Sequence, residues 1–135
     1  MGLTSKFNKA MRLSARLPGL ARPSKALFVM SHMRSRSSML SHVLGSHKRI
    51  SGYYEMSRSY REPADLTRMK MAHLLENHDT PRADYYHDKI LHNRFTVCED
   101  ILGSPKARFI FLAREPTASL SSMLKLGQRT DVPEC

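Results

Sequence analysis

Tryptophan is absent from this chain, cysteine occurs twice, and 12 acidic residues face 22 lysines and arginines. Cys98 and Cys135 cannot build the disulfide framework of a small secreted domain, so a reducing compartment, the cytoplasm, is the expected setting. Cys98 is followed by EDILGS, which supplies no arginine to close a phosphatase-type loop. No run approaches the roughly 18 consecutive apolar residues of a membrane span. His32, His42, His47, His73, His78 and His87 show no HExxH or comparable spacing, so they read as surface or loop residues and no metal site is expected. With no RNP-like aromatic run and no zinc-finger spacing, sequence-specific nucleic-acid binding has no support. GxxxxGK[ST] is also missing, which disfavours nucleotide kinases and GTPases.

What is present is positive charge. The formal net charge is +10 over 135 residues, enough chain for one modest domain. That excess favours an anionic partner, whether nucleotide, nucleic acid, acidic glycan or membrane surface, without choosing among them. Residues 1–24 carry lysine and arginine but no acid and form a basic arm before the folded part, which occupies 25–135. A loose apolar face through Phe7, Met11, Leu13, Leu17 and Leu20 leaves a transit peptide or a membrane-surface helix as the alternative for the arm.

The organising stretch runs from Ala26 to Gly45. Ala26 to Met30 are apolar and read as a buried strand. Ser31, His32, Arg34, Ser35, Arg36, Ser37 and Ser38 are polar or cationic. Met39, Leu40, Val43 and Leu44 then recur with helical spacing until Gly45. Strand, hydroxyl-rich basic turn and helix is the layout of a phosphate-binding loop, because a helix start leaves N–H groups unpaired at the positive end of the helix dipole.

Further along, 49–54 reads as a second strand, which Gly52 either weakens or opens to the approach of another backbone. Pro63 opens a helix with Leu66, Met69, Leu74 and Leu75 on one side. Lys89 to His92 reads as a short third strand, and Phe95 to Leu102 as a short helix. ARFIFLA, 107–113, is the most apolar strand and is expected at the centre of the sheet. A helix from about Thr117 should end at Gly127. Tyr53, Tyr54, Tyr85 and Tyr86 are strand residues or, alternatively, line a pocket. Alternating strands and helices predict an α/β fold, a parallel β-sheet flanked by helices. Ligands of such sheets bind beyond the carboxyl ends of the strands, where the basic loop, Glu55 and Arg114 should converge.

With these pieces in order, the chain resembles the P-loop-like sulfotransferases that use 3′-phosphoadenosine 5′-phosphosulfate, PAPS. Their 5′-phosphosulfate loop is matched by Arg34, Ser35, Arg36, Ser37 and Ser38, with Arg36 where glycine is common. Their 3′-phosphate element, a hydrophobic strand followed by Arg, Pro and a helix serine, is matched by RFIFLAREPTASLSS, which supplies Arg114 and Ser122. The resemblance implies a P-loop NTPase-like fold and sulfuryl transfer from PAPS to a small-molecule or carbohydrate acceptor, with no metal. It also implies that the chain is the N-terminal portion of a longer enzyme, apparently truncated after the second signature. Arg34 would neutralise the developing charge, while Ser35, Arg36, Ser37, Ser38, Arg114 and Ser122 would hold the donor. The general base would be Glu55, matching carbohydrate and bacterial glycolipid members, or His92, matching cytosolic small-molecule members. The loop's form is closer to the carbohydrate type, which favours Glu55. The rival readings are a non-catalytic basic module for nucleotide, nucleic acid or acidic glycan, and an inactive remnant.

Overall fold

A computed structural model describes residue 18 and residues 21–52, 55–76, 83–91 and 94–130, with the backbone alone for 126–130. Most of the basic arm, Tyr53, Tyr54, residues 77–82 with His78, His92 and Cys135 lie outside the described residues. In order, the elements are β1 (Lys25–Ser31), α1 (Ser37–Gly45), β2 (Ile50–Ser51), α2 (Ala64–Glu76), β3 (Tyr85–Leu91), α3 (Glu99–Leu102), β4 (Ala107–Leu112) and α4 (Pro116–Thr130). The fold is α/β. Its four strands are all parallel in the order β2-β3-β1-β4, and helices flank the sheet.

Alternation along the strands sorts the layers. On one face Ala26, Phe28, Tyr86, Ile90 and Ala107 join Met69 and Leu74 of α2, Ile101 of α3 and Tyr60 in the core. Phe28 is fully buried, edge-on to Tyr60 at 4.8 Å between centroids and stacked on Phe109 at 5.3 Å. Each such side chain contributes about 2–3 kcal/mol by burial alone. α2 presents Met69 and Leu74 inward, as its spacing predicted.

Other expectations are corrected. α1 has the expected bounds, but its inward face is Ser37, Ser41 and Gly45, spaced four apart, while Met39 and Val43 are exposed. Small side chains let the helix lie close against the sheet strands. β4 stands at one end of the described sheet rather than its centre, with Phe111 exposed. β3 starts four residues before Lys89. Its middle, His87-Asp88, reads as polar in sequence yet is fully buried. Only Glu99–Leu102 of the 95–102 segment is helical, because Thr96 and Val97 bridge the Tyr60 backbone instead. α4 continues past Gly127 to Thr130. Tyr85 and Tyr86 begin β3, at the opposite edge of the sheet from the basic loop. His73 and His87 are core residues, not surface ones.

Among the described residues no helix is long and apolar enough to cross a membrane, and no group of three or more His, Cys, Asp or Glu could hold a metal ion.

Candidate functional site at the carboxyl edge of the sheet

β1 ends at Ser31, and the chain turns through residues 32–36 into α1. The turn uses two left-handed residues, Arg34 at φ 62° and Arg36 at φ 66°. Arg36 thus adopts the conformation that glycine favours, so the loop keeps a glycine-type turn despite its side chain. An L-residue there costs roughly 1–2 kcal/mol. Arg36→Gly is therefore expected to raise the unfolding free energy by about 0.5–1 kcal/mol, the relief of strain being partly offset by the entropy of glycine in the unfolded chain. Urea denaturation checks this, and a clear loss of stability contradicts it.

No side chain caps α1, and no acid lies in its first turn. The serines of the loop are therefore not serving as an ordinary N-cap. Ser35 is buried, and its hydroxyl has no hydrogen-bond partner among the described residues. Ser31 and Ser119 likewise hold partnerless buried hydroxyls. Ser37 is buried and Ser38 exposed. An uncapped helix start beside an unmatched buried hydroxyl has the donors that an oxyanion requires.

The segment after β4 reaches this loop directly. Arg114 donates from a guanidinium nitrogen to the Arg34 carbonyl at 2.9 Å, and Arg34 Nε donates to Ser122 Oγ at 3.0 Å. The Arg114 backbone N–H donates to His32 Nε2 at 3.1 Å, and His32 Nδ1 lies 2.9 Å from the Met33 carbonyl. The second bond assigns the proton to Nδ1 and leaves Nε2 as the acceptor. His32 lies in the loop, one of the two places its sequence reading allows, but it is only partly exposed. There it ties the two loops together, a role with no signal in local sequence because Arg114 is 82 positions away.

On the other side, Glu55 pairs with the Lys89 ammonium at 3.3 Å, and the same ammonium donates to Ser38 Oγ at 3.4 Å. Lys89 is a site residue that sequence reading missed. Starting β3 at Lys89 placed it at the amino end of its strand, whereas it lies in the carboxyl half. The structure therefore joins Arg34, Arg114 and Ser122 in one set and Ser38, Glu55 and Lys89 in another, and both sets include a residue of the 34–38 segment. His92 falls outside the described residues, so its position relative to these sets is not described.

Below Glu55 lies a buried support. Asp88 accepts hydrogen bonds from the Met56 N–H at 2.8 Å and the Tyr60 hydroxyl at 2.6 Å, which hold the segment that carries Glu55. Burial pushes the Asp88 carboxyl up to about 6, against the pull of these bonds, and pushes the Tyr60 hydroxyl well above its ordinary value. Burial also lowers neighbouring His87 to about 4. These shifts have opposite signs for stability. A raised carboxyl loses native stability as pH rises from about 4 to about 6, and a depressed imidazole loses it as pH falls from about 6.5 to about 4. In the parent chain the two largely cancel. Asp88→Asn removes the first and retains an acceptor for Met56. The variant is expected to match or exceed the parent at pH 7, then to lose up to about 1.4 kcal/mol per pH unit on acidification through the histidine window. Thermal unfolding at pH 4.5, 5.5 and 7 checks this, and parallel profiles for variant and parent contradict it.

Comparison of the chain with known protein families, curated proteins and solved structures gave no match.

Proposed function

We propose that this chain is the donor-binding part of a PAPS-dependent sulfotransferase with a P-loop-like fold, transferring a sulfuryl group to a hydroxyl or amine of a carbohydrate or glycolipid acceptor. The observation that carries the reading is the direct linkage of Arg34 with Ser122 and Arg114, segments 88 and 80 positions apart. Two cationic segments meeting at the carboxyl edge of a parallel sheet suit a ligand with two anionic groups.

In this reading Ser35, Ser37, Ser38 and the N–H groups of the first turn of α1 hold the 5′ end of the donor, and Arg36 adds a cation. Arg114 and Ser122 hold its 3′-phosphate. PAPS supplies the activated sulfuryl group. Arg34, helped by Lys89, stabilises the negative charge that develops on the leaving phosphate. Glu55 accepts the acceptor's proton. Its contact with Lys89 orients the carboxylate and couples it to the phosphate loop through Ser38. His92 stands as the other base, and Glu55→Gln distinguishes them by its effect on turnover at unchanged donor affinity.

The test is calorimetric titration of the full chain with the product nucleotide, 3′,5′-adenosine bisphosphate. Saturable binding that prefers this bisphosphate to adenosine monophosphates is expected. Steep salt dependence without preference for the bisphosphate is the signature of a non-specific basic module and overturns the proposal.

A further inference from the structure

A second concentration of positive charge lies at the far edge of the sheet, where the strands begin. A cavity of about 250 Å³ opens there between the start of β1 and α2, and four cations, Arg22, Lys25, Lys70 and Lys106, line it. None of its lining residues is acidic. An adjoining cavity of about 400 Å³ shares Lys25 and Lys106 and contains Asp84, but that carboxylate is committed to Arg22 at 2.8 Å and to Arg49. Lys25 and Lys106 make no ion pair among the described residues. β1 separates this edge from the basic loop by six residue steps, about 20 Å at strand rise.

The wall of the smaller cavity is built rather than merely charged. Tyr86 lines it at 3% exposure, and its hydroxyl is buried without a hydrogen-bond partner among the described residues. A buried donor left unmatched costs roughly 1–3 kcal/mol, so its presence beside a cation cluster points to an acceptor from outside the chain. Burial raises the Tyr86 phenol above its ordinary value, which keeps it a neutral donor. Lys70 is fixed in place by donating to the Arg22 carbonyl at 2.5 Å, and its ammonium lies 5.6 Å from the centre of the Tyr86 ring. Burial and the nearby Arg22 guanidinium make its charge less favourable, a cost that a bound anion would reverse. Leu66 and Met69 of α2 supply an apolar wall.

We propose that this cavity is a second anion site, separate from the carboxyl-edge site, that binds a phosphate or sulfate monoester. The oxyanion sits among Lys25, Lys70 and Lys106 and accepts from the Tyr86 hydroxyl. The ester's carbon portion lies against Leu66 and Met69. The volume suits one oxyanion and one ring, not a dinucleotide. Nothing in this assignment depends on the reaction proposed for the other edge.

The experiment titrates the full chain with phenyl phosphate and with phenyl sulfate, using amide NMR shifts to locate binding and calorimetry to measure it. Saturable shifts are expected at residues 22, 24–26, 66–70, 86 and 106, and either ester being preferred identifies the natural head group. Lys25→Ala with Lys106→Ala should weaken binding at least tenfold. Tyr86→Phe, which keeps the ring and the fold, should weaken it several-fold. Arg34→Ala with Arg114→Ala should leave it unchanged. Shifts confined to residues 34–38 and 114, affinity untouched by the lysine substitutions, or equal binding of uncharged benzyl alcohol would each overturn the proposal.

Discussion

Replacing Gly52 with alanine lowers the unfolding free energy by about 3 kcal/mol, the largest stability loss expected from one added methyl at a glycine among the described residues. A Cβ at Gly52 would lie 2.4 Å from His73 Cε1 and 2.8 Å from the His87 carbonyl oxygen. Neither neighbour can give way cheaply. His73 is buried, lies 3.4 Å from Ser51 Oγ and packs at 5.5 Å against the Tyr86 ring. The carbonyl belongs to the main chain of β3. The backbone adds its own strain, because Gly52 has φ 113°, a region that side chains disfavour. Gly103→Ala is the control, since its Cβ would meet only the Glu99 carbonyl at 3.7 Å and its φ is −82°. That substitution should be neutral or stabilising by up to about 1 kcal/mol. Urea denaturation of both variants checks the contrast. A loss below about 1 kcal/mol for Gly52→Ala would show that β2 and His73 can separate, contrary to the packing described.

The largest functional effect should come from the two arginines. In the proposed donor site, Arg114→Ala would remove a charge-assisted bond to the 3′-phosphate, a type of bond commonly worth roughly 1.5–3 kcal/mol. It also removes the bond to the Arg34 carbonyl that braces the left-handed turn. Together these predict about a 100-fold weaker affinity for 3′,5′-adenosine bisphosphate, at 1.4 kcal/mol per factor of ten. Arg34→Ala should cost a similar factor while leaving the Arg114 bond to the residue 34 backbone intact. The double variant should lose less than the product of the two, because the residues share one hydrogen-bonded network. Arg114→Lys keeps the charge without the planar fork and should fall between parent and alanine variant. Tight binding that survives both alanine changes would remove the proposed donor site, whatever else the chain binds.

Local sequence determined much of the framework. The apolar run before SHMRSRSS, the helical spacing after it and Gly45 were enough to bound β1, the loop and α1 to within a residue. The α/β class and the meeting of Arg34 with Arg114 followed from alternation and from the rule that parallel strands end on one side. For Gly52 the sequence left two readings, a weakened strand or a close backbone approach, and the 2.8 Å from its Cβ position to the His87 carbonyl oxygen fits the second. Tertiary structure alone decided which face of α1 turns inward, because Ser37, Ser41 and Gly45 win by their small size where hydrophobic periodicity favours Met39 and Val43. It also decided the edge position of β4, since strand order depends on partners far away in the chain and not on the strand's own hydrophobicity. Lys89, His32 and Asp88 took their roles for the same reason. A polar side chain becomes a bridge, a tie or a buried support only when folding places its partner within about 3 Å, and that partner lies tens of residues away.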